Sequence, residues 1–301
     1  LITLCSRRAG LEGYEKEMQA MHGRNRRTSL WVLQALLCAL IFGCWAAEAP
    51  AETLLLGVVP QHSAVELARQ WGPLLKFLEE RTGLSLAFET AKDIPTFEAR
   101  LDEGRYDIIY CNPADYVLRS LAPGYQAFAR EKGVRLKGIV VVPRDSPATS
   151  LNDLAGGKVA FPAPAAFAAT MLPLADFKAR GVAVTPVYVA THDSVYLTVA
   201  RGYYPAGGGI ARTLANCPEE VRGQLRVIWE TPGCTPHPLA AHPRVGREAV
   251  ARLAEALEAM DQDEAGRSAL RILRFAGFER GTDADWNDVR ALLGLPAAGA
   301  S

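Results

Sequence analysis

The sequence predicts an α/β protein made of two units, and three features carry that expectation. Apolar strands and amphipathic helices alternate from residue 54 to residue 121. A long β-branched run, LKGIVVVP at 136–143, then breaks the pattern, and a second alternation begins at KVAFP, 158–162. Strands joined through helices give a mostly parallel sheet covered on both faces.

In chain order, LLLGVVP (54–60) reads as a buried strand stopped by Pro60. In HSAVELARQWGPLLKFLEERTG, Val65, Ala68, Trp71, Leu75 and Leu78 follow a helical repeat that ends near Gly83. LSLAFETA (84–91) is a second strand, IPTFEARLDEG a short helix around Phe97 and Leu101, and YDIIY a third strand. PADYVLRSL starts another helix, with Pro113 in its first turn. After the 136–143 run and the loop DSPATSLNDLAGG, KVAFP is a strand and AAFAATMLPLADFKARG a helix with a loop at Pro173. VAVTPVYVA is a strand, THDSVYLTVARG a helix capped by Thr191 or Asp193, and AGGGI (206–210) and LRVIWET (225–231) are strands. VGREAVARLAEALEAM, SALRILRFAGF and WNDVRALLG are helical, and the tail PAAGAS (296–301) has no reason to order. The two units divide near residues 142 and 232, as if the chain leaves one lobe and returns. Sequence order alone does not establish that return.

Acidic and basic residues balance at 33 each, and no basic block follows residue 29. The electrostatic footprint of a nucleic-acid partner is absent from the composition. Residues 21–29 carry Arg24, Arg26 and Arg27 without an acid, and LWVLQALLCALIFG (30–43) is almost wholly apolar. A basic stretch before a short apolar one reads as an export signal, too short for a stable spanning helix. Two ends are open: IFGC, ending at Cys44, resembles a lipoprotein cleavage site, whereas cleavage within AAEAPAE (46–52) releases a soluble chain. About 250 residues then remain, enough for a large core or two modest lobes. Of six cysteines, Cys111, Cys217 and Cys234 follow the leader. Three is odd, so at least one thiol is unpaired within the chain; Cys217 and Cys234 are close enough in sequence to bridge.

No residue set forms a catalytic constellation. Asp107 and Asp115 have no spaced acid–base partner, and His192 beside Ser194 is weak ground for a triad. His62, His192, His237 and His242 are scattered, and AGGGI lacks the lysine and helix context of a phosphate loop. Neither enzyme activity nor a cofactor is expected.

Taken together and in order, GVVPQHSAVELARQWGPLLKFLEERTG, IPTFEARLDEGRYDIIYCNPADYV, LKGIVVVPRDSP, LNDLAGGKVAFP and THDSVYLTVARG resemble the periplasmic phosphate/phosphite/phosphonate-binding proteins of ABC transporters. The resemblance implies a two-lobed type II binding-protein fold, each lobe a mixed sheet flanked by helices, with hinge strands between them. Residues 1–51 would be leader, 52–142 with 232–295 lobe one, and 143–231 lobe two. It implies binding in an interlobe cleft and a permease as partner. Two departures stand out. Relatives place a Ser/Thr-rich turn after the strand equivalent to VAFP, but here PAPAAFAAT (162–170) puts Ala165 and Ala166 there, and Thr170 comes late. Backbone N–H groups would still receive an anion. Relatives that take an aminoalkylphosphonate often carry an aspartate where Pro205 stands, and proline cannot receive an amino group.

These departures bear on Cys111, in YDIIYCNPADY. By its residue type it is a small buried hydrophobe at a strand end. YCNPADYV, however, resembles the arsenite-binding periplasmic sensors associated with arsenite oxidase regulation. That resemblance implies a cleft thiol bonding arsenic(III), with arsenite (or antimonite) as ligand and the periplasmic domain of a sensor histidine kinase as partner. Soft sulfur suits such a centre. Around it, Asn112, Tyr116, His62, His192 and Ser194 are candidate polar contacts, while Tyr110 faces either the cleft or the core. The alternative is a phosphate, phosphite or phosphonate receptor handing its ligand to a permease.

Overall fold

The computed structural model describes residues 53–299; the leader, its cleavage site and Cys44 lie outside them. Strand β1 (Leu54–Val58) leads to helix α1 (Ala64–Thr82), whose N-cap Ser63 accepts the Glu66 N–H and whose end is set by left-handed Gly83. Its buried face is Leu67, Trp71, Leu74, Leu75 and Leu78. Val65 is 82% exposed and Ala68 is exposed too, so the apolar stripe runs through Leu67 and Leu74 rather than through those two members of the repeat. Strand β2 (Leu86–Glu89), α2 (Ile94–Asp102), β3 (Ile108–Tyr110) and α3 (Pro113–Leu121) follow as expected, with Asp93 and Asn112 capping the two helices.

The next strand, β4 (Gln126–Glu131), escaped the sequence reading because QAFARE carries three polar or charged side chains on a short run. β5 (Gly138–Pro143) pairs with strands of the second lobe, so the first crossing falls between β4 and β5 rather than after residue 142. Lobe two continues with β6 (Lys158–Phe161), a π-helical turn (Phe167–Met171) running directly into α4 (Leu172–Ala179), and β7 (Thr185–Tyr188). The loop expected at Pro173 does not form: the π-helical turn continues straight through proline into α4. Helix α5 (His192–Ala200), β8 (Ala206–Ile210), short helices α6 (Ala211–Asn216) and α7 (Glu219–Arg222), and β9 (Leu225–Glu230) complete the lobe. The chain returns through β10 (Pro238–Ala241), α8 (Arg247–Glu258), α9 (Glu264–Leu273), β11 (Phe278–Arg280) and α10 (Asn287–Leu292). The tail is tied to α10 by the Ala298 N–H, which donates to Asn287 Oδ1 at 2.7 Å.

Two mixed sheets result, ordered β11-β4-β10-β3-β1-β2 and β7-β6-β8-β5-β9. β1, β2 and β3 are parallel, while the returning β10 enters antiparallel between β3 and β4. At the crossings, Leu136 and Cys234 form a two-hydrogen-bond bridge, at 2.7 and 3.0 Å, that holds the hinge segments side by side. Cys217 and Cys234 are both buried free thiols in different core clusters, so the bridge between them is not formed.

Candidate functional site

Two narrow cavities of ≈ 20 Å³ each lie on the seam between the lobes. Each has room for a water-sized group. The first is walled from lobe one by Gln61, Asn112 and His237 and from lobe two by Ala166, Phe167, Ala168, Ala169 and His192. The second adds His62, Tyr110, Arg212 and Thr213.

The strand–helix alternation explains why these residues meet. Gln61 and His62 lie just before α1, Asn112 caps α3, Ala166 caps the π-helical turn that opens the α4 segment, and His192 is the first residue of α5. Four helical segments therefore start at the seam. Their unpaired N–H groups and dipoles give it a positive potential without a mobile cation. Among the described residues, the N–H groups of Phe167, Ala168 and Ala169 donate to no backbone acceptor, although all three residues are buried. The turn lies directly on the sheet: a Cβ on Gly138 would stand 2.0 Å from the Ala168 carbonyl oxygen, and one on Gly208 2.1 Å from that of Ala169. Gly138 and Gly208 answer to this approach, whereas Gly207 and Gly209 of AGGGI are crowded by Val195 and Tyr196 of α5. Thr170, the one hydroxyl in the segment, is buried with Oγ1 unpartnered.

The His192 and His237 imidazoles are neutral. Burial lowers His192 to about 3, with positive charge at His62 and Arg212 adding to the effect, and burial pushes His237 well below its ordinary value. His192 Nδ1 lies 3.1 Å from Thr213 Oγ1, which in turn lies 2.7 Å from the Tyr196 hydroxyl. Its Nε2 has no protein partner among the described residues. His237 Nε2 lies 2.9 Å from Gln61 Nε2. Among the residues lining the two cavities, Arg212 is the only Lys or Arg, and it is paired with Glu131. A wall of neutral donors, backbone N–H groups and one compensated cation can hold a small oxyanion by hydrogen bonds alone.

The nominated residues divide sharply. Asn112, Ala166 and His192 line the first cavity, and His62 and Tyr110 the second. Asn112 turns its side chain away: Oδ1 accepts the Asp115 N–H at 2.9 Å and Nδ2 donates to the Asp115 carboxylate. Ala165 lies one residue outside the wall. Ser194 stands 2.9 Å from Thr191 Oγ1 as part of the α5 cap. Tyr116 faces the core, donating to Asp283 Oδ1 at 2.6 Å with its ring against Trp286. Cys111 is fully buried and lines neither cavity. Burial and the neighbouring Asp115 carboxylate push its thiol well above the usual range. Pro205 is exposed at the outer end of β8, with Ile210 and Arg212 at the cleft end, so the proline does not stand where a ligand group would reach. Tyr203 is exposed.

Gln61, Arg212, Thr213 and His237 are among the wall residues that the sequence reading missed. Arg212 and Thr213 follow AGGGI after the single residue Ala211, and the strand-end rule that singled out His62 and His192 would have found them.

Residues 56–286 match the family model described as ABC transporter, phosphonate, periplasmic substrate-binding protein. The chain is 26% identical over 285 residues to the phosphate-import protein PhnD of Mycolicibacterium smegmatis, spanning 81% of this chain and 86% of that protein. It is similar in fold to a binding-protein component of an ABC phosphonate transporter from Pseudomonas aeruginosa, with TM-score 0.72, 18% identity, and 80% and 85% of the two chains covered. It is also similar to PhnD1 of Prochlorococcus marinus in complex with methylphosphonate, with TM-score 0.74, 14% identity, and 80% and 97% covered.

Proposed function

The chain belongs to the phosphonate periplasmic substrate-binding family of ABC transporters, and from that premise we propose that it captures a small phosphorus oxyanion between its lobes and delivers it to a membrane permease. Members of this family bind substrates in the periplasm and leave the chemistry to others. The observation that carries the ligand class is the convergence of four helix starts on a seam whose one cation is already compensated. Such a wall stabilises anionic oxygens through N–H groups that need no reorganisation on binding.

A second reading is arsenite sensing for a membrane histidine kinase. One observation favours it: Cys111 immediately precedes Asn112, a wall residue, and the segment facing it brings only Thr170 as a hydroxyl. The thiol would exchange with an As–OH group, forming S–As and releasing water. For that the sulfur must leave its buried position beside Asp115, and the thiol must ionise against the burial that raises it. The phosphorus oxyanion is the reading with fewer rearrangements.

Calorimetric titration of the reduced protein with phosphate, phosphite, methylphosphonate and arsenite separates the two. Saturable binding of a phosphorus oxyanion that survives in Cys111→Ser supports the first. Binding of arsenite alone, lost in Cys111→Ser, replaces it with the second.

A further inference from the structure

Arg212 belongs to lobe two, at the second position of α6, yet its guanidinium meets partners only from lobe one. Nη1 pairs with the buried Glu131 carboxylate at the end of β4, and Nη2 donates to the Tyr110 hydroxyl at 2.7 Å. The guanidinium carbon stands 4.9 Å from the centre of the Phe275 ring and 6.0 Å from that of Tyr110. His237 Nδ1 lies 3.4 Å from Nη2. Lobe one thus offers an acid flanked by aromatic faces, a socket whose chemistry suits a guanidinium, and lobe two fills it.

We propose that Arg212 is a latch that holds the two lobes closed through Glu131, and not the counter-charge of the bound anion. The proposal rests on the reading of the seam as the ligand cleft. Glu131 lines neither cavity, so the carboxylate lies behind the guanidinium and away from the ligand. An anion that recruited Arg212 would have to draw it from an acid already desolvated beside it. Opening the lobes would give up the Glu131 contact, the Tyr110 hydrogen bond and the Phe275 face together; desolvation of the two charges opposes their attraction, and the added hydrogen bond and aromatic contacts favour the closed arrangement. The other cross-lobe ion pair, His62 with Asp193, is weaker because the Asp193 side chain is 40% exposed. Closure is thereby favoured before any ligand arrives. Affinity then depends on the latch through the fraction of molecules already in the binding-competent form.

The test compares wild type, Arg212→Gln, Glu131→Gln and the double variant in two measurements. The first is small-angle X-ray scattering without ligand, and the second is titration with inorganic phosphate. Glu131→Gln keeps the shape and an acceptor, which guards against loss of the fold; thermal unfolding checks it. A latch requires both single variants to expand the ligand-free protein and both to weaken phosphate binding by roughly fivefold or more, the double variant being little worse than either. A counter-charge role requires opposite signs, with Glu131→Gln tightening phosphate binding and Arg212→Gln weakening it, and this result overturns the proposal. So does an open ligand-free wild type, or variants as compact as wild type. If wild type binds none of the phosphorus oxyanions, the functional reading fails, while scattering still decides the latch.

Discussion

His62 Nδ1 and Asp193 Oδ1 meet at 2.8 Å across the seam, joining the residue before the α1 cap in one lobe to the first turn of α5 in the other. The histidine is buried and the aspartate is 40% exposed on its side chain, so solvent screens the pair. Asp193→Asn is therefore expected to weaken phosphate binding by less than about fivefold. The difference from wild type should shrink as salt rises. Titrations at two ionic strengths check this, and an effect independent of salt would mean that the pair is shielded from water.

The neutral histidines make stability depend on pH. His192 titrates at about 3 when folded, against an ordinary value of 6.5, and His237 is also pushed down. Between these limits the unfolded chain binds more protons than the folded one. The stabilisation is complete above about pH 6.5 and is lost as the pH falls toward the folded values, by about 1.4 kcal/mol per pH unit for each group at most. Asp115 acts in the opposite sense, because burial raises its carboxyl to about 8; its contribution is present at low pH and lost as pH rises through that value. The histidine contribution is therefore read as a difference. Urea unfolding of wild type and His192→Gln between pH 5 and pH 7 should give a shallower rise with pH in the variant. Equal slopes would place His192 in solvent. Phosphate affinity should show no His192 titration across the same range.

Gly208 and Gly138 hold the site from below. A methyl on Gly208 would meet both the Ala169 carbonyl oxygen at 2.1 Å and the Phe161 ring at 2.5 Å. Gly208→Ala must push the π-helical turn off the sheet, with the overpacking cost of roughly 1–3 kcal/mol in stability. Since the same turn carries the Phe167–Ala169 N–H groups, phosphate affinity should fall by more than the stability loss alone explains. Chemical unfolding together with titration measures both. Unchanged affinity in a destabilised variant would detach those N–H groups from the ligand.

Much of this geometry was legible in the sequence, for a local reason. Apolar runs ending in Pro60, Tyr110 and Phe161, each followed by a capping or proline-bearing helix start, place their next residues at strand ends, and strand ends face the cleft of an open α/β sheet. His62 and His192 are legible in this way, whereas Asn112 and Ala166 came through the resemblance to known binding proteins. The elements that escaped are set by partners far along the chain. β10 is four residues, Pro238–Ala241, and becomes a strand because β3 and β4 flank it. β5 reads equally well in either lobe until its pairing with β8 and β9 is known. Which way a side chain turns is also non-local: Tyr116 on α3 turns to Asp283 and Trp286, contributed by a segment more than 160 residues later. Strand alternation could have separated Tyr110 from Cys111, since successive side chains take opposite faces. Tyr110 stacks on His237 at 5.2 Å and meets Arg212 at the seam, while Cys111 lies beside Asp115 on the other side.

That alternation gives the sharpest expectation for the thiol in YDIIYCNPADY. Cys111 is 0% exposed, and its ionisation is opposed by burial and by the Asp115 carboxylate. In the folded protein near neutral pH it should resist alkylation by iodoacetamide and become reactive only on unfolding, as mass-mapped labelling of its peptide would reveal. Cys111→Ser puts a hydroxyl where sulfur packs and should cost about 1–3 kcal/mol if that hydroxyl finds no partner. Phosphate affinity should stay within about twofold of wild type, because the sulfur lines neither cavity. Rapid labelling of the native protein, blocked by arsenite but not by phosphate, would instead mean that the lobes open far enough to bring the sulfur out, and the metalloid reading would then take precedence.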